Sequence, residues 1–277
     1  MLAAARRSQP PEEMVQVPGA AGSSQRPRVQ VSNVSLSYGS LAAAADLSFS
    51  VRPGEFVSLI GPSGCGKSSA LRAIGGLLAP DSGEVVVEGS PVTAPRPQDI
   101  SFVFQDLALY HWRSALRNVE VALQFAGVPL RERRDKATHA LEVVGLGDSL
   151  DRFPHQLSGG MQQRVAIARA LVSEAPVLLL DEPFAALDEL SRLKIGEQLA
   201  SLLEEQGKTV VFVTHNLSEA VYLSDRIVVM SPRPARIRDV VEVHLPRPRR
   251  PEVMRTPEFH ALTDRLSGLL FEGDETS

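Results

Sequence analysis

Several features that mark secreted, membrane-spanning and nucleic-acid-binding proteins are missing from this sequence. It has 1 cysteine, which excludes an internal disulfide framework and fits a reducing compartment. No stretch approaches the roughly 18 to 20 consecutive apolar residues that span a bilayer, and Met1 to Pro27 lacks an apolar core of signal-peptide length. We therefore expect a soluble, cytosolic protein.

An excess of basic charge is also missing. The net charge is −4 and the pI is about 5.9, so the chain does not create the positive field that attracts a polyanion, and we expect no nucleic-acid partner. Hydrophobic residues make up 43% of the 277 positions. That share is enough for a full core, either in one large domain or in one domain with an appendage.

One glycine-rich stretch, Gly61 to Ser69 (GPSGCGKSS), carries the strongest functional signal. It fits the pattern G-x-x-x-x-G-K-[ST] and lies between an apolar run, Phe56 to Ile60, and a helix-compatible run, Ser68 to Leu78. The backbone N–H groups of such a loop, together with the positive end of the following helix, hold a polyphosphate. The alternative, an ordinary glycine-rich turn, does not account for the strand and helix on either side.

The same loop predicts which residues contact a nucleoside triphosphate. Lys67 is expected to reach the β- and γ-phosphates, and the Ser68 hydroxyl is expected to bind Mg²⁺. Cys65 suits the tight turn as a small side chain, and a redox or nucleophilic role is the alternative. The residues predicted to bind the nucleotide here are Gly61, Pro62, Ser63, Gly64, Cys65, Gly66, Lys67, Ser68 and Ser69.

Two carboxylates follow an apolar strand further along the chain. Val177 to Leu180 is fully apolar and is followed by Asp181 and Glu182. Asp181 can hold Mg²⁺ directly or through a water, and Glu182 can act beside the γ-phosphate as general base for the attacking water. A surface turn is the alternative for an acidic pair, but a phosphate loop containing Lys67 favours the catalytic interpretation.

A second anion site is predicted at Leu157 to Met161 (LSGGM). Ser158 is a good N-cap, Gly159 and Gly160 expose backbone N–H groups, and a helical stretch follows. A plain capped helix would explain these residues in isolation. The order of the three motifs along the chain points instead to a protein with two phosphate sites.

Taken in this order, the motifs resemble those of the ATP-binding subunit of ABC transporters, and the resemblance covers roughly Val29 to Met230. GPSGCGKS resembles the family's Walker A motif, VLLLDE its Walker B motif and LSGGM its signature. The resemblance implies a homodimer in which two subunits pack head to tail, each signature capping the ATP held by the other's phosphate loop. It also implies ATP and Mg²⁺ as cofactors, transmembrane permease subunits as partners, and a peripheral location at the cytoplasmic face of the cell membrane.

Four further residues correspond to family positions. Tyr38 corresponds to the aromatic that stacks on adenine, and Gln105 to the glutamine that contacts Mg²⁺ and water and links the site to the membrane subunit. Asp188 ends the segment Ala185 to Asp188, which resembles the D-loop that crosses the dimer interface. His215 corresponds to the histidine that contacts the γ-phosphate and orients the catalytic water. The alternatives are that Tyr38 is a core residue of a strand, that Gln105 is only an exposed residue at a strand end, that Asp188 only caps a helix and that His215 is structural.

Within the family, the chain looks most like importers of the nitrate, sulfonate and taurine type. The similarity rests on Phe184 to Asp188, Trp112, Asn118-Val119 and the tail from Ser231, and the departures are Tyr110-His111, Ala185 and Ser69-Ala70. Only Tyr110-His111 lies where the membrane subunit is expected to bind. The transported solute, a small anion such as nitrate, a sulfonate or taurine, would be selected by the permease and a solute-binding protein.

Strands alternating with helices predict an α/β fold. We expect a P-loop NTPase core with a mostly parallel sheet, an N-terminal antiparallel β portion with a bulge at Ser32-Asn33, and an inserted helical subdomain near residues 107–160, where apolar residues are spaced helically from Leu116 to Val144. The chain is divided into a disordered tail at 1–28, an ATP-binding domain at 29–230 and an appendage at 231–277. That appendage is expected to hold a strand, Val240 to Leu245, and a terminal helix.

Rival functions predict other sequence features. A soluble ABC ATPase of DNA repair or translation would carry a long coiled-coil insertion or a second cassette, neither of which is visible. A non-hydrolysing regulatory module would not need Glu182 and His215, and a GTPase would need an N-K-x-D motif that the sequence lacks. An exporter subunit stays open as an alternative to an importer.

Overall fold

The computed structural model describes residues 26–271, so the tail predicted at 1–28 lies outside the described residues except for its last three. The strands are β1 (Val29–Tyr38), β2 (Leu41–Val51), β3 (Phe56–Ile60), β4 (Ser82–Val87), β5 (Ser90–Pro91), β6 (Ile100–Val103), β7 (Val177–Asp181), β8 (Thr209–Val213), β9 (Arg226–Met230) and β10 (Ile237–Glu242). The helices are α1 (Lys67–Ile74), α2 (Ala115–Phe125), α3 (Leu130–Val143), α4 (Gly159–Leu171), α5 (Glu189–Glu205), α6 (Leu217–Leu223) and α7 (Pro257–Phe271).

The main sheet has six strands in the order β10-β9-β3-β8-β7-β6. The five strands from β9 to β6 pair in parallel, and β10 is antiparallel to β9. Every residue of β3, β7 and β8 is buried, because helices cover both faces of a parallel sheet and leave no polar face. The continuous apolar runs in the sequence therefore mark the centre of the fold, and the predicted α/β class is confirmed.

The N-terminal strands form a separate antiparallel sheet in the order β2-β1-β4-β5. The β1–β2 pairing changes register between Val31 and Val34, and Asn33 has φ 51°. The Asn33 side chain donates to Asp46 Oδ1 at 2.8 Å, which holds the extra residue in place. This is the bulge that the broken alternation at Ser32-Asn33 predicts.

The helical subdomain is built from α2 and α3 packed on α4. The helical spacing predicted from Leu116 to Val144 corresponds to two helices rather than one, with a break between Phe125 and Leu130. Gly127 has φ 77°, a left-handed value that ends a helix, and Pro129 cannot continue the hydrogen-bond ladder of the preceding turn. The two helices can therefore fold against each other.

The C-terminal segment packs onto the cassette. Strand β10 extends the main sheet, starting three residues before the predicted strand Val240 to Leu245, and Phe259 and Leu266 of α7 are buried in the same core as the central strands. Arg249 is also buried, and burial lowers its pKa to about 10. Its guanidinium donates to the carbonyl oxygens of Val221, Tyr222, Ser224 and Val243, so it fastens this segment to the end of α6.

Across residues 26–271, none of the helices combines the length and the apolar character needed to cross a membrane.

Asn118 is expected to stabilise the helical subdomain. Its buried amide donates to the carbonyl oxygens of Tyr110, Arg113 and Ser114 at 2.9 to 3.1 Å and accepts from the Tyr110 N–H at 2.8 Å. Asn118→Leu leaves these groups without a partner, so the free energy of unfolding should fall by about 1 to 3 kcal/mol. Urea titration followed by tryptophan fluorescence measures the free energy of unfolding, because the single tryptophan, Trp112, lies between Tyr110 and Arg113, two residues that Asn118 contacts.

The matched control is Gln124→Leu, which makes a similar change at an exposed position of α2. It should stay within about 0.5 kcal/mol of the unsubstituted protein. Equal stability of the Asn118 and Gln124 variants would contradict the structural role of Asn118.

Candidate functional site

The predicted catalytic motifs follow three neighbouring strands of the main sheet. The phosphate loop follows β3, His215 follows β8, and Glu182 follows β7, in the spatial order β3-β8-β7. Since parallel strands end at one edge of a sheet, the side chains that follow them converge there. The site is thus assembled from segments that are distant in the sequence.

The phosphate loop is shaped by glycine. Gly66, which immediately precedes α1, has φ 125°, and a Cβ at this position would lie 2.6 Å from the Ala43 carbonyl oxygen. Lys67 is only 6% exposed, and its Nζ donates to the carbonyl oxygens of Gly61 and Pro62, each at 2.8 Å. The loop therefore holds the ammonium inside its own curve, where an anion bound by the loop would meet it.

The remaining loop residues surround this ammonium. The Cys65 sulfur is buried 3.9 Å from Lys67 Nζ, which makes it part of the loop's packing. Gly64 O accepts a hydrogen bond from Arg233, and Ser69 Oγ donates to the hydroxyl of the half-exposed Tyr38 at 3.3 Å. The predicted aromatic thus lies beside the first turn of α1, and Ser63 lies exposed on the loop.

Ser68 and Asp181, which with Gln105 are the three residues predicted to bind Mg²⁺, contact each other. Ser68 Oγ donates to Asp181 Oδ1 at 2.8 Å, and Asp181 is 1% exposed. Burial raises the pKa of Asp181, although the Ser68 hydrogen bond and the charges of Arg72 and Lys67 oppose this shift. A hydroxyl and a carboxylate are hard oxygen ligands of the kind that Mg²⁺ prefers, so the two residues fit this ion.

Glu182 and His215 face each other at the same edge. Glu182 Oε2 lies 3.3 Å from His215 Nδ1, with the two side chains 21% and 61% exposed. Glu182 has φ 47°, which is uncommon for a residue with a side chain and persists only where neighbours hold it. Its N–H donates to the Val213 carbonyl oxygen at 3.0 Å, and its own carbonyl accepts from Gln163 at 3.1 Å.

Gln105 follows the strand that lies farthest from β3 among those that precede the predicted catalytic residues. It follows β6, beside the strand that carries Asp181, and its side chain is exposed. Strand β6 is three positions from β3, which is about 14 Å across a sheet with strands about 4.8 Å apart. Because β6 is the edge strand of the main sheet, Gln105 follows the outermost of the strands that lead into the site.

The predicted signature packs against the segment that follows Glu182. Ser158 Oγ accepts from the Met161 N–H at 3.3 Å and caps α4. A Cβ at Gly160 would lie 3.2 Å from the Ala186 carbonyl oxygen, and one at Gly159 would meet the Ala186 side chain at 3.9 Å. Gly160 thus allows α4 to begin directly against residues 185–188, which we call the D-loop, whereas a side chain at Gly159 would make only an ordinary contact. Ser158 and Gly159 are exposed.

Asp188 caps the following helix. Its Oδ1 accepts from the Ser191 N–H at 3.0 Å, and this hydrogen bond lowers the pKa of Asp188. The sequence left two interpretations of Asp188 open, a helix cap and a residue of the D-loop at a dimer interface. Within the single chain, Asp188 makes the helix-cap contact.

The sequence interpretation missed Gln163. This buried side chain of α4 donates to the Glu182 carbonyl at 3.1 Å and accepts from the Ala186 N–H at 2.7 Å, so it fixes both ends of the turn between the acidic pair and the D-loop. A usable signal was present: Gln163 falls on the apolar face of α4, with Ala166 and Ala170 one and two turns later. A polar residue in such a stripe needs a partner.

Comparison with known proteins gives consistent results. The ABC transporter family model matches residues 44–185. A putative ATP-binding protein of Brucella abortus is 44% identical over 241 residues, 87% of this chain and 92% of that protein. A nitrate import ATP-binding protein of Synechococcus elongatus is 46% identical over 236 residues, 84% of this chain and 36% of that protein. A solved dimeric ATP-binding cassette in a post-hydrolysis state, bound to ADP and phosphate, has a TM-score of 0.73 at 36% identity and covers 78% of this chain and 99% of its own.

The packing around Gly66 yields a prediction about nucleotide binding. Gly66→Ala forces a Cβ to within 2.6 Å of Ala43 O at a φ of 125°, and backbone strain of this kind costs about 1 to 3 kcal/mol. Affinity for ATP should therefore fall by about tenfold, measured by isothermal titration calorimetry.

The control is Gly268→Ala in α7, where a Cβ would meet no atom within 4 Å. It should bind ATP as the unsubstituted protein does. Unchanged affinity in Gly66→Ala would mean that the loop adapts to a side chain and is not held by the contact with Ala43.

Proposed function

The chain belongs to the ABC transporter family as an ATP-binding subunit that hydrolyses ATP, and we propose that it energises the uptake of a small anion through a separate permease. On this proposal the protein works as a homodimer at the cytoplasmic face of the membrane. The observation that supports it best is the convergence of Lys67, the Ser68–Asp181 pair and the Glu182–His215 pair at one edge of the main sheet.

The proposed reaction is the in-line attack of water on the γ-phosphate of ATP. The Lys67 ammonium exchanges its two loop carbonyls for oxygens of the β- and γ-phosphates, and so balances their charge. Glu182 takes the proton of the attacking water as the new P–O bond forms and the bond to the bridging oxygen of ADP breaks. His215, which contacts the Glu182 carboxylate, orients that water and binds the γ-phosphate.

Mg²⁺ would be held by Ser68 and Asp181, with Gln105 as a further oxygen ligand, and would neutralise charge on the phosphates. On this proposal, Gln105 reaches the metal ion through a movement of the segment that follows β6, the edge strand of the sheet. That segment leads into the helical subdomain, so its position is suited to transmit the state of the nucleotide to a membrane partner.

The proposed dimer gives a role to the exposed part of the signature, Ser158 and Gly159. Ser158 and Gly159 offer the start of α4 to solvent beside their own D-loop, and Leu190, two residues after Asp188, is 81% exposed. A second subunit packed head to tail would bring its ATP onto this surface and cover the leucine. The dimeric form of the similar solved cassette supports this arrangement.

The proposed permease contact is an aromatic groove between the edge of the main sheet and the helical subdomain. Phe102 and Phe104 stack at 4.2 Å and line, with Tyr110 and Phe125, a cavity of about 380 Å³. Phe125 is 81% exposed, and Trp112, beside Tyr110, is 73% exposed. Exposed aromatic residues around a concave surface suit an apolar helix of a partner protein.

The proposed class of solute rests on the relatives. A nitrate importer subunit at 46% identity supports a small anion, such as nitrate, a sulfonate or taurine. The solute itself would be selected by the permease and by a solute-binding protein, so the described pockets of this chain are not expected to bind it.

Replacement of the proposed base should separate binding from hydrolysis. Glu182→Gln removes the proton acceptor but keeps the size of the side chain, so turnover should fall at least a hundredfold while ATP binding persists. The closed dimer should then accumulate. Size-exclusion chromatography with light scattering should detect a monomer that becomes a dimer only when ATP is added.

Adding Lys67→Ala to this variant provides the control, because loss of phosphate binding should restore the monomer. Hydrolysis by Glu182→Gln at the unsubstituted rate would exclude Glu182 as the base. A Glu182→Gln species that binds ATP without changing its mass would count against the shared dimer.

A second experiment tests the proposed adenine contact. Tyr38→Ala removes a stacking surface that is worth about 1 to 3 kcal/mol per base, so the KM for ATP should rise about tenfold with little change in kcat. Tyr38→Phe keeps the ring and loses only the contact with Ser69, so its KM should stay within about twofold. Equal KM values for Tyr38→Ala and the unsubstituted protein would remove the stacking role.

A further inference from the structure

We infer that Arg192 and Glu219 are positioning residues that connect the D-loop to His215 within one subunit and hold His215 against Glu182. The inference rests on the function proposed above, in which Glu182 and His215 act on ATP. The ion pair lies beside the site, and neither residue belongs to the motifs that identify the family in the sequence.

Arg192 forms the D-loop side of this connection. It lies in the first turn of α5, and its Nη2 donates to the Leu187 carbonyl oxygen at 3.2 Å. Asp188, the next residue, caps the same helix. The D-loop is therefore fixed to the start of α5 by a side chain as well as by the cap.

Glu219 forms the His215 side. Its Oε2 accepts from the Thr214 hydroxyl at 2.6 Å, and that hydroxyl accepts from the Asn216 N–H at 3.0 Å. The Glu219 N–H in turn donates to Asn216 Oδ1 at 3.1 Å. His215 is thus the middle residue of a three-residue segment whose two neighbours are both tied to Glu219.

The ion pair closes the connection. Arg192 Nε lies 3.3 Å from Glu219 Oε1, and the two side chains are 26% and 13% exposed. Burial raises the pKa of Glu219, whereas Arg192 and the Thr214 hydrogen bond favour its charged form. A carboxylate this far from solvent depends on its partners, so loss of Arg192 should disturb Glu219 and the residues that it holds.

His215 needs such support because its own side chain has little. It is 61% exposed, and its contact with Glu182 is 3.3 Å long. The position of the imidazole is therefore set mainly by the backbone from Thr214 to Asn216.

The test is a double-mutant cycle on the full chain with Arg192→Gln, Glu219→Gln and the double variant. Each single variant should lower kcat for ATP hydrolysis about tenfold, with ATP affinity within about twofold. The double variant should resemble a single variant, because the two residues act as one unit. Arg192→Lys, which keeps the charge, should recover part of the lost kcat.

Glu197→Gln is the matched control, since it removes a carboxylate from an exposed position of the same helix; its kcat should be unchanged. Thr214→Val and Thr214→Ser extend the test to a variant pair that leaves the ion pair intact. The valine variant should lose kcat as Glu219→Gln does, and the serine variant should keep it.

The inference is overturned if Arg192→Gln and Glu219→Gln retain full kcat, if their effects multiply in the double variant, or if the loss lies in KM rather than kcat. If Glu219→Gln does not fold, shown by its melting temperature, the Arg192→Lys and Thr214→Ser/Val comparisons decide: equal kcat for Thr214→Val and Thr214→Ser overturns the inference.

Glu182→Gln and His215→Ala are measured in parallel. Full turnover in these two variants would overturn the proposed function. If instead these two variants are inactive while the Arg192 and Glu219 variants keep full kcat, only this inference is overturned.

Discussion

The parallel pairing of β3, β8 and β7 is the constraint on which the site depends. Leu59 and Asp181 are both in register with Val213, so the segments that leave these strands begin at one level of the sheet. A shift of β7 by one residue would turn Asp181 to the opposite face and separate its carboxylate from Ser68. The register is secured by burial of every residue in these strands, since a shift would also place polar termini in the core.

This constraint allows two charged groups to be buried close to each other. Lys67 and Asp181 are almost fully enclosed, which carries a large desolvation cost unless their polar atoms are paired. Loop carbonyls accept from the ammonium, and the Ser68 hydroxyl donates to the carboxylate. On the proposed function, a triphosphate and its metal ion would replace these protein partners of Lys67 and Asp181, so that binding exchanges one set of polar contacts for another.

Sequence reasoning predicted those parts of the fold that are set by local patterns. The buried strands read as continuous apolar runs, the phosphate loop as glycines between strand and helix, and the bulge at Asn33 as a break in alternation. It did not separate α2 from α3, because helical spacing continues on both sides of Gly127 although the backbone direction changes there. Gln163 was missed because its partners, the Glu182 carbonyl and the Ala186 N–H, belong to another segment, and Arg192 and Glu219 were missed because they belong to different helices and pair only in the folded chain. Spacing along the sequence carries no information about such contacts.

The D-loop is held from several directions by these missed residues. Gln163 of α4 binds its Ala186 N–H, Arg192 of α5 binds its Leu187 carbonyl, and Gly160 lets the start of α4 touch it. Through Gln163 the D-loop is tied to the backbone of Glu182, and through Arg192 and Glu219 to the segment around His215. A displacement of the D-loop therefore acts on both Glu182 and His215. In the proposed head-to-tail dimer the D-loop would lie at the interface, so the same contacts would make hydrolysis in one subunit sensitive to the fit of the other.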